Sequence, residues 1–246
     1  MTVKLRGMTS ARPPVAVLAA LRHEAEVLAA RLSPSRQPSP RLAIWEGELE
    51  GEPVVLVLTG VGKVAGALAT QFACDRFAPR AILNVGLAGG IESGGAPGRV
   101  VIASGAVQHD YDARPIAPAR GVMPDLRMSV FPADPGLGAA LIRAAERSVE
   151  DPGLLRSGLI LTGDQIITSR DVRDRTLAEF PDGACFDMET AAVALVAYLN
   201  GIPWGAVRIT SDSADESFDM KEVLRFGARS AAGLFDKILR AYLAAG

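Results

Sequence analysis

Carboxylate side chains follow short apolar runs at several places in the 246-residue sequence. If these runs are strands of an open α/β sheet, their carboxyl ends meet at one edge, which is where such folds bind ligands. Two carboxyl groups in different surroundings can then serve as a proton donor and a proton acceptor. The acids at these positions are Glu24, Asp164, Asp187, Glu189 and Asp212.

Each of these acids also has a purely structural explanation. Glu24 can be a solvated carboxylate in the first turn of a helix, where the helix dipole favours it. Gly163-Asp164 can form an ordinary turn, Asp187 can cap a helix, and Glu189 can be a dipole partner. Ser211-Asp212 can belong to a turn held by its own side chains. Spacing alone leaves both explanations open.

The elements that must position these acids alternate between short apolar runs and longer helical patterns, which indicates a βαβ architecture. Residues 41–59 are predicted to form a hairpin with its turn at Glu50-Gly51. Segment 108–135 contains many prolines and little periodicity, and a loop of that length is usually functional or part of an interface. The other predicted strands cover residues 15–20, 81–84, 100–103, 158–162, 184–187 and 204–209. The predicted helices cover residues 24–32, 63–77, 137–149, 170–180, 189–200 and 221–244.

Composition limits the class of function. Lys and Arg total 26 and Asp and Glu total 28, so the net charge is −2 and nothing favours a nucleic acid as partner. Hydrophobic residues make up 49% of the chain, enough for a substantial buried core. The two cysteines, Cys74 and Cys185, are too few for a disulfide framework and are expected to be reduced thiols in the cytoplasm.

The chain is expected to be a soluble, single-domain protein. Stretch 190–207 is uncharged, but Asn200-Gly201-Ile202-Pro203 interrupts it as a helix stop, so no membrane span is predicted. Residues 1–14 lack the apolar centre of a signal peptide and are predicted to be a flexible leader. Residues 15–246 contain no repeat and no linker, so they are predicted to form one α/β domain.

Glycine-rich turns for nucleotide cofactors do not occur where they are needed. A Rossmann site requires G-x-G-x-x-G directly after the first strand, but Ala20-Leu21-Arg22-His23 follows it. The clusters at 86–90 and 60–63 have the wrong spacing for a Rossmann turn or a P-loop. Nicotinamide and ATP chemistry are therefore not expected. His23 and His109 are too few and too far apart to indicate a metal.

Six motifs occur in order along the chain: A-L-x-x-E-A, T-G-V-G-K-V, N-x-G-x-A-G-G, G-D-x-x-I, D-M-E-T-A-A-V-A and R-x-x-S-D-x-A-D. Together they resemble the nucleoside phosphorylase and nucleosidase superfamily, and within it the 5′-methylthioadenosine/S-adenosylhomocysteine nucleosidases. The resemblance extends from Val15 to the closing helix. It implies a three-layer α/β/α fold with a mixed, partly barrel-like central sheet. It also implies hydrolysis of the N-glycosidic bond of a purine 5′-thionucleoside, which releases adenine.

The resemblance implies two catalytic residues. Glu24 matches the carboxylate that orients and deprotonates the attacking water. Asp212 matches the acid that protonates purine N7, with Ser211 positioning it. Because such an acid must hold its proton, Asp212 is expected to have a raised pKa, whereas Glu24 must be ionised.

The resemblance also implies how the substrate is held. Glu189 matches the residue that binds the ribose 2′- and 3′-hydroxyls, and Met188 matches a thioether beside the sugar. Ile167 matches a position whose backbone holds adenine, whereas Ile166 replaces the aromatic ring that usually stacks on the base. Apolar positions near the 5′ group argue for a thioalkyl or deoxy substituent. These positions are Leu21, Val61 and Phe218, and the further substrate-binding positions are Ala88, Gly89 and Asp187.

Family dimers lend a loop to the neighbouring subunit, and the segment around His109, Tyr111 and Pro115 resembles that loop. A homodimer is therefore expected, with a small nucleoside as substrate. The resemblance implies no cofactor and no metal. Neither a nucleic acid nor a membrane is an expected partner.

Either water or phosphate can be the nucleophile on this scaffold. Phosphate needs cationic donors, and Asn84 and Leu87 stand where phosphorylases of this type carry arginine and serine. Glu24 would add negative charge where phosphate binds, although Arg22 and Arg114 remain available as anion ligands. Hydrolysis is favoured.

The alternatives are phosphorolysis or hydrolysis of another nucleoside by the same fold, and a non-catalytic nucleoside-binding protein.

Overall fold

A mixed β-sheet lies at the centre of the protein. The structure is a computed structural model that describes residues 12–35, 41–92 and 97–245, and ten strands of these residues pair into one sheet. Strands β1 to β5 cover Val15–Ala19, Ser33–Pro34, Ile44–Leu49, Glu52–Leu58 and Ala81–Gly89. Strands β6 to β10 cover Val100–Gln108, Val130–Pro132, Leu155–Thr162, Gly183–Asp187 and Trp204–Asp212.

Five of these strands close into a barrel. β5 pairs in parallel with β10, β10 pairs antiparallel with β6, and β8 pairs in parallel with both β6 and β9. β9 returns to β5 through the antiparallel pair Gly89 and Phe186. The first half of β5 also pairs in parallel with β1, which leads through β4 to β3 and β2. The expected mixed and partly barrel-like sheet is confirmed.

Helices cover both faces of this sheet. Helices α1 to α4 cover Arg22–Ala29, Lys63–Phe77, Pro135–Glu146 and Arg170–Glu179, and α5 to α7 cover Thr190–Asn200, Met220–Phe226 and Ala232–Leu243. α1, α3 and α7 pack together over one side of the sheet, and α2 packs against α5 over the other. The two main apolar clusters lie between these helix layers and the sheet. The three-layer prediction is therefore also confirmed.

The strands form where the sequence predicts buried apolar runs, because a strand in a parallel sheet covered on both faces has no solvent-facing side. All five residues of β1 are buried. β5 is longer than the predicted strand 81–84 and runs on through the glycine cluster to Gly89. The reason is close packing: side chains from β10 occupy the space beside Gly86 and Gly89. These glycines therefore belong to the strand and not to a turn after it.

The closing helix differs from the continuous helix predicted over 221–244. A π-helical turn, Gly227–Ala231, lies between α6 and α7. A Cβ built on Gly227 would lie 2.5 Å from His23 Cδ2, so a glycine is needed for this close approach to α1. The wider turn rotates the helix relative to a regular 3.6-residue repeat. α7 then buries Phe235, Ile238 and Leu239 against the core.

Segment 108–135 also contains a short strand that the sequence did not indicate. β7 has only three residues, too few to show an alternating pattern, and it pairs antiparallel with β6. Residues 1–11 of the predicted leader lie outside the described residues. No helix of the described part of the chain is long and apolar enough to cross a membrane.

Candidate active site

The ends of three parallel strands bring the two central acids together. β1 and β10 flank β5, with Val15 opposite Ala81 and Trp204 opposite Ile82. Because the three strands run in the same direction, their carboxyl ends lie at one edge of the sheet. Glu24 lies in the helix that follows β1, and Asp212 is the last residue of β10.

Two backbone donors fix the Glu24 carboxylate, which is only 3% exposed. The Leu21 N–H donates to Oε2 over 2.8 Å and belongs to the start of α1. The Leu87 N–H donates to Oε1 over 2.9 Å and belongs to β5. Glu24 is therefore tied to the central strand, unlike a solvated carboxylate at a helix end.

The Asp212 carboxyl is half-buried beside the end of β5. Ser211 Oγ donates to its Oδ1 over 2.8 Å, and the Ala214 N–H donates to its Oδ2 over 2.9 Å. Burial raises the pKa of Asp212, the two hydrogen bonds lower it and nearby Asp215 raises it, so the net pKa lies above its ordinary value. A carboxyl with a raised pKa keeps its proton closer to neutral pH, as a proton donor must.

Two glycines of β5 locate the carboxyls relative to each other. A Cβ built on Gly86 would lie 3.1 Å from Glu24 Oε1, and one built on Gly89 would lie 3.5 Å from Asp212 Oδ2. Three residues along a strand span about 10 Å. The two carboxyls therefore approach the same strand at points about 10 Å apart along its length.

A shallow cleft opens beside Asp212. Its other walls come from the ends of neighbouring strands and the segment after β5. Glu24 does not line this cleft. The two acids therefore both lie beside β5, but they do not line one enclosed cavity. The lining residues besides Asp212 are Gly90, Ile91, Glu92, Arg99, Ala184 and Thr210.

Arg208 is a charged residue of the site whose role sequence reasoning missed. It lies on β10 and is fully buried. Its Nη2 lies 2.5 Å from Asp187 Oδ2 and 3.8 Å from Glu189 Oε2. Asn84 Oδ1 and Thr190 Oγ1 accept further hydrogen bonds from the guanidinium. The signal was present in the sequence, because an arginine within an apolar strand must find buried acids.

The remaining side of the Arg208 guanidinium faces Glu24. A Cβ built on Gly86 would lie 2.0 Å from Arg208 Nη1 and 3.1 Å from Glu24 Oε1. Because both distances are measured from the same point, Nη1 and Oε1 can be no further apart than the two distances added together. Among the described residues, Arg208 forms ion pairs with Asp187 and Glu189 and none with Glu24. Two charged groups at such a separation can be bridged by one water molecule.

The Asp187 carboxylate lies inside this network. Thr162 Oγ1 donates to its Oδ1 over 2.5 Å, and the Thr190 N–H donates to its Oδ2 over 3.0 Å. Arg208 occupies the same Oδ2. Because both oxygens are taken by protein donors, Asp187 holds Arg208 and the start of α5 and does not present a free face to a ligand.

Glu189 connects the network to the start of α2. It is buried, and its Oε1 accepts a hydrogen bond of 2.8 Å from the Gly62 N–H. Burial, followed by the charge of Asp187, raises the pKa of Glu189 to about 7, although Arg208 and the Gly62 bond act in the opposite direction. The Arg208 guanidinium therefore faces three carboxyl groups, those of Asp187, Glu189 and Glu24. Acidic side chains thus outnumber cationic side chains in this network.

The apolar candidate positions surround these groups unevenly. Ile167 is buried, whereas Ile166 is 50% exposed and Val61 is 49% exposed. Ala88 is buried and Gly89 half-buried at the end of β5. The side of the site next to Ile166 and Val61 is thus open to solvent in a single chain. The half-buried candidates are Leu21, Met188 and Phe218.

The loop after β6 begins with a side chain held inside its own chain. His109, which belongs to the segment expected to reach a neighbouring subunit, is 2% exposed and packs edge-on against Phe186. A Cβ built on Gly163 would lie 2.3 Å from His109 Nε2, so the imidazole fills space inside its own chain. Tyr111 is half-buried and Pro115 is exposed.

The two candidate anion ligands have different surroundings. Arg114 binds Asp112 through Nε–Oδ1 and Nη2–Oδ2 contacts of 2.8 and 2.5 Å, so its charge is already paired. Arg22 is exposed at the first position of α1. Within the described residues, no three His, Cys, Asp or Glu side chains gather as ligands for a metal.

Known proteins resemble the chain over nearly its whole length. A sequence model described as the phosphorylase superfamily matches residues 14–244. The 5′-methylthioadenosine/S-adenosylhomocysteine nucleosidase of Actinobacillus succinogenes is 31% identical over 220 residues, which cover 88% of this chain and 94% of the relative. A protein of the same name from Shewanella oneidensis is 34% identical, over 82% of this chain and 84% of the relative.

Solved structures agree in fold. The nucleosidase of Neisseria meningitidis, in complex with methylthio-immucillin-A, has a TM-score of 0.87 at 31% identity and covers 95% of this chain and 100% of its own. The nucleosidase of Colwellia psychrerythraea, in complex with adenine, has a TM-score of 0.85 at 27% identity and covers 94% of this chain and 95% of its own.

Proposed function

The chain belongs to the phosphorylase superfamily and, within it, to the 5′-methylthioadenosine/S-adenosylhomocysteine nucleosidases, and we propose that it hydrolyses the N-glycosidic bond of those two nucleosides. The products are adenine and a 5′-thioribose. One observation carries the proposal, the pair of carboxyl groups that contact β5 from α1 and from the end of β10. Glu24 is fixed next to Gly86 opposite Arg208, and Asp212, with its raised pKa, lies next to Gly89.

Asp212 donates a proton to the departing base. Breaking the N-glycosidic bond leaves an electron pair on adenine, and protonation at N7 neutralises that charge in the transition state. The bond from Ser211 Oγ and the bond from the Ala214 N–H hold the carboxyl in one orientation. Orientation of this kind removes entropy from the barrier before the reaction starts.

Glu24 and Arg208 hold the attacking water. The gap between Glu24 Oε1 and Arg208 Nη1 accommodates one water, with the guanidinium as donor and the carboxylate as acceptor. As the water oxygen attacks C1′ of the cationic sugar, Glu24 takes its proton. The Leu21 and Leu87 N–H groups keep the carboxylate in place during this step.

Charge near Gly86 favours water over phosphate as the nucleophile. Arg208 is already paired with Asp187 and Glu189, and Glu24 adds a further carboxyl group. A phosphate dianion would meet a group with more acids than cations, and like charges in a low-dielectric site repel strongly. The Asn84 side chain, where a phosphorylase has arginine, binds Arg208 and the Leu18 carbonyl instead.

The substrate lies between these two catalytic groups. We assign the ribose diol to Glu189, with Met188 beside the sugar, and the adenine to the segment ending at Ile167. Ile166 offers an aliphatic face to the base in place of an aromatic ring, which gives up part of the stacking energy. The 5′-thioalkyl group lies near Leu21, Val61 and Phe218, because apolar side chains favour a thioether over a free hydroxyl.

A second copy of the chain completes the open side of the site in this proposal. Ile116 is 82% exposed in the loop that contains Tyr111 and Pro115, and Val64 and Leu68, one turn apart on α2, are 80% and 60% exposed. Exposed apolar side chains clustered near a site are typical of an interface. A symmetric dimer would bury them and cover the solvent-facing side near Val61.

Adenine release tests this function. The protein is incubated with 5′-methylthioadenosine with and without phosphate, and free adenine is measured. Equal release in both conditions is expected for hydrolysis, whereas release only with phosphate would refute the choice of water. Substrate binding without any release would identify a non-catalytic binding protein. Glu24→Gln should stop release, while Glu26→Gln, an exposed acid one residue beyond Ala25 on the same helix, serves as the matched control.

A further inference from the structure

We propose that Lys63 is a positioning residue of this site, which joins the start of α2, the loop after β6 and the loop after β8 into one unit. We call Lys63, Asp110 and Asp164 the three-loop clamp. The inference rests on the proposed function, because each part of the clamp is next to a proposed substrate-binding segment. Lys63 acts through those segments and does not touch the reacting atoms.

Four polar contacts join the clamp. Lys63 Nζ lies 2.7 Å from Asp110 Oδ1 and 3.9 Å from Asp164 Oδ2. The Lys63 N–H donates to Asp164 Oδ1 over 2.7 Å, and the Asp164 N–H donates to Asp110 Oδ2 over 2.9 Å. Each member therefore contacts the other two. The Lys63 and Asp110 side chains are only 18% and 25% exposed, so their ion pair is better shielded from solvent than one on an open surface.

The clamp joins segments that hold different parts of the substrate. Gly62, directly before Lys63, donates its N–H to Glu189, the proposed ligand of the ribose diol. Asp164 begins the segment that leads to Ile167 at the proposed base site. Asp110 begins the loop that leads to Tyr111. The clamp therefore sets how the sugar-binding and base-binding segments lie relative to each other.

Glycines allow the three loops to approach this closely. A Cβ built on Gly62 would lie 3.1 Å from Asp164 Oδ1, and Gly62 has a φ of 98°, which favours glycine. Gly163, directly before Asp164, packs against the His109 ring. The segments at 62–63, 109–110 and 163–164 are thus in contact through both packing and charge.

Charge explains why the clamp needs a cation at position 63. Burial raises the pKa of Asp110, but the Lys63 ammonium and the Asp164 N–H lower it by more, so the net pKa is below its ordinary value. Without the ammonium, the Asp110 and Asp164 carboxylates would lie next to each other and repel. The repulsion would separate the loop after β6 from the loop after β8.

Steady-state kinetics of Lys63→Met test the clamp. We expect KM for 5′-methylthioadenosine to rise about tenfold while kcat changes less than about threefold, which corresponds to loss of one shielded charge-assisted contact. Lys237→Met, which removes an exposed lysine on α7, is the control and should leave both constants unchanged. Lys63→Met/Asp110→Asn should recover most of the wild-type KM, because the repulsion is gone and the amide oxygen still accepts the Asp164 N–H.

Recovery in the double variant separates positioning from a simple effect on stability. If Lys63→Met lowers only the melting temperature, or if the double variant is worse than the single one, the clamp is refuted. Asp110→Asn alone should raise KM about threefold, which keeps the test decisive if Lys63→Met does not fold. Adenine affinity is measured for the same variants. If the wild-type chain binds adenine but releases none from the nucleoside, the proposed function is refuted. The adenine affinities of the variants then still test the clamp.

Discussion

Replacing Gly86 by alanine should inactivate the protein although it adds a single methyl group. A Cβ at this position would lie 2.0 Å from Arg208 Nη1, whereas ordinary contacts begin near 3.4 Å. Arg208 or β5 must therefore move by about 1.4 Å, the difference between those two distances. The guanidinium cannot swing away freely, because Asp187, Asn84 and Thr190 hold it from the other side.

The size of the effect follows from that displacement. A misplacement of about 1 Å in a catalytic arrangement can cost about a hundredfold in rate, so kcat for adenine release should fall by about that factor. Overpacking of a buried site costs about 1–3 kcal/mol in the free energy of unfolding. For a chain of this length, each 1 kcal/mol lowers the melting temperature by about 2–4 °C.

The assay compares Gly86→Ala with Gly233→Ala in the same kinetic and thermal measurements. Gly233 lies in α7 and a Cβ built on it would meet nothing within 4 Å. Alanine there should stabilise the helix by about 0.5–1 kcal/mol and leave adenine release unchanged. Wild-type kcat and melting temperature in Gly86→Ala would show that Arg208 is not held as described, and would remove the basis for the water site between Arg208 and Glu24.

Three further predictions concern the acids. Asp212→Asn should lower kcat about a thousandfold with little change in KM, because an amide cannot protonate N7; a variant that keeps most of its kcat would identify a different acid. Asp187→Asn should lower the free energy of unfolding in urea by about 3 kcal/mol, because it breaks a buried ion pair; an unchanged midpoint would contradict that role. The pKa of Glu189 is raised from 4.5 to about 7 in the folded protein, so the folded state binds the extra proton between these values and its stability falls as pH rises towards 7. Urea unfolding at about pH 5 and about pH 8 should show a smaller fall in Glu189→Gln than in the wild type, and equal falls would refute the link.

Most of the fold could be predicted because buried parallel strands appear in the sequence as continuous apolar runs. The strands at 15–20 and 158–162 were identified in this way and correspond to β1 and the end of β8. The predicted strand is shorter than β5, because Gly86 and Gly89 are typical of a turn when only the sequence is considered. The side chains that occupy the space beside these two glycines come from residues distant in sequence and are known only from the structure. The π-helical turn at Gly227 was missed for a similar reason, since only His23, distant in sequence, explains it.

The candidate site could be predicted only in part. Glu24 and Asp212 lie a few residues after apolar runs, which left a structural explanation open for each, and only the resemblance of the six motifs implied catalytic roles for them. Arg208 lies inside such a run, where a charged residue has no local explanation and its partners Asp187 and Glu189 are visible only in three dimensions. Burial of His109 likewise depends on contacts with Phe186 and Gly163 from other strands and loops.

The pairing of β5 with β10 has a consequence for synthesis of the chain. During translation β5 emerges early, together with β1 and β4, while its partner β10 follows more than a hundred residues later. Until then, one edge of β5 has unpaired backbone groups, and such an edge can pair with other chains and aggregate. β10 also contributes Arg208 and Asp212. A ribosomal product truncated before residue 204 therefore combines an aggregation-prone strand edge with the loss of both side chains.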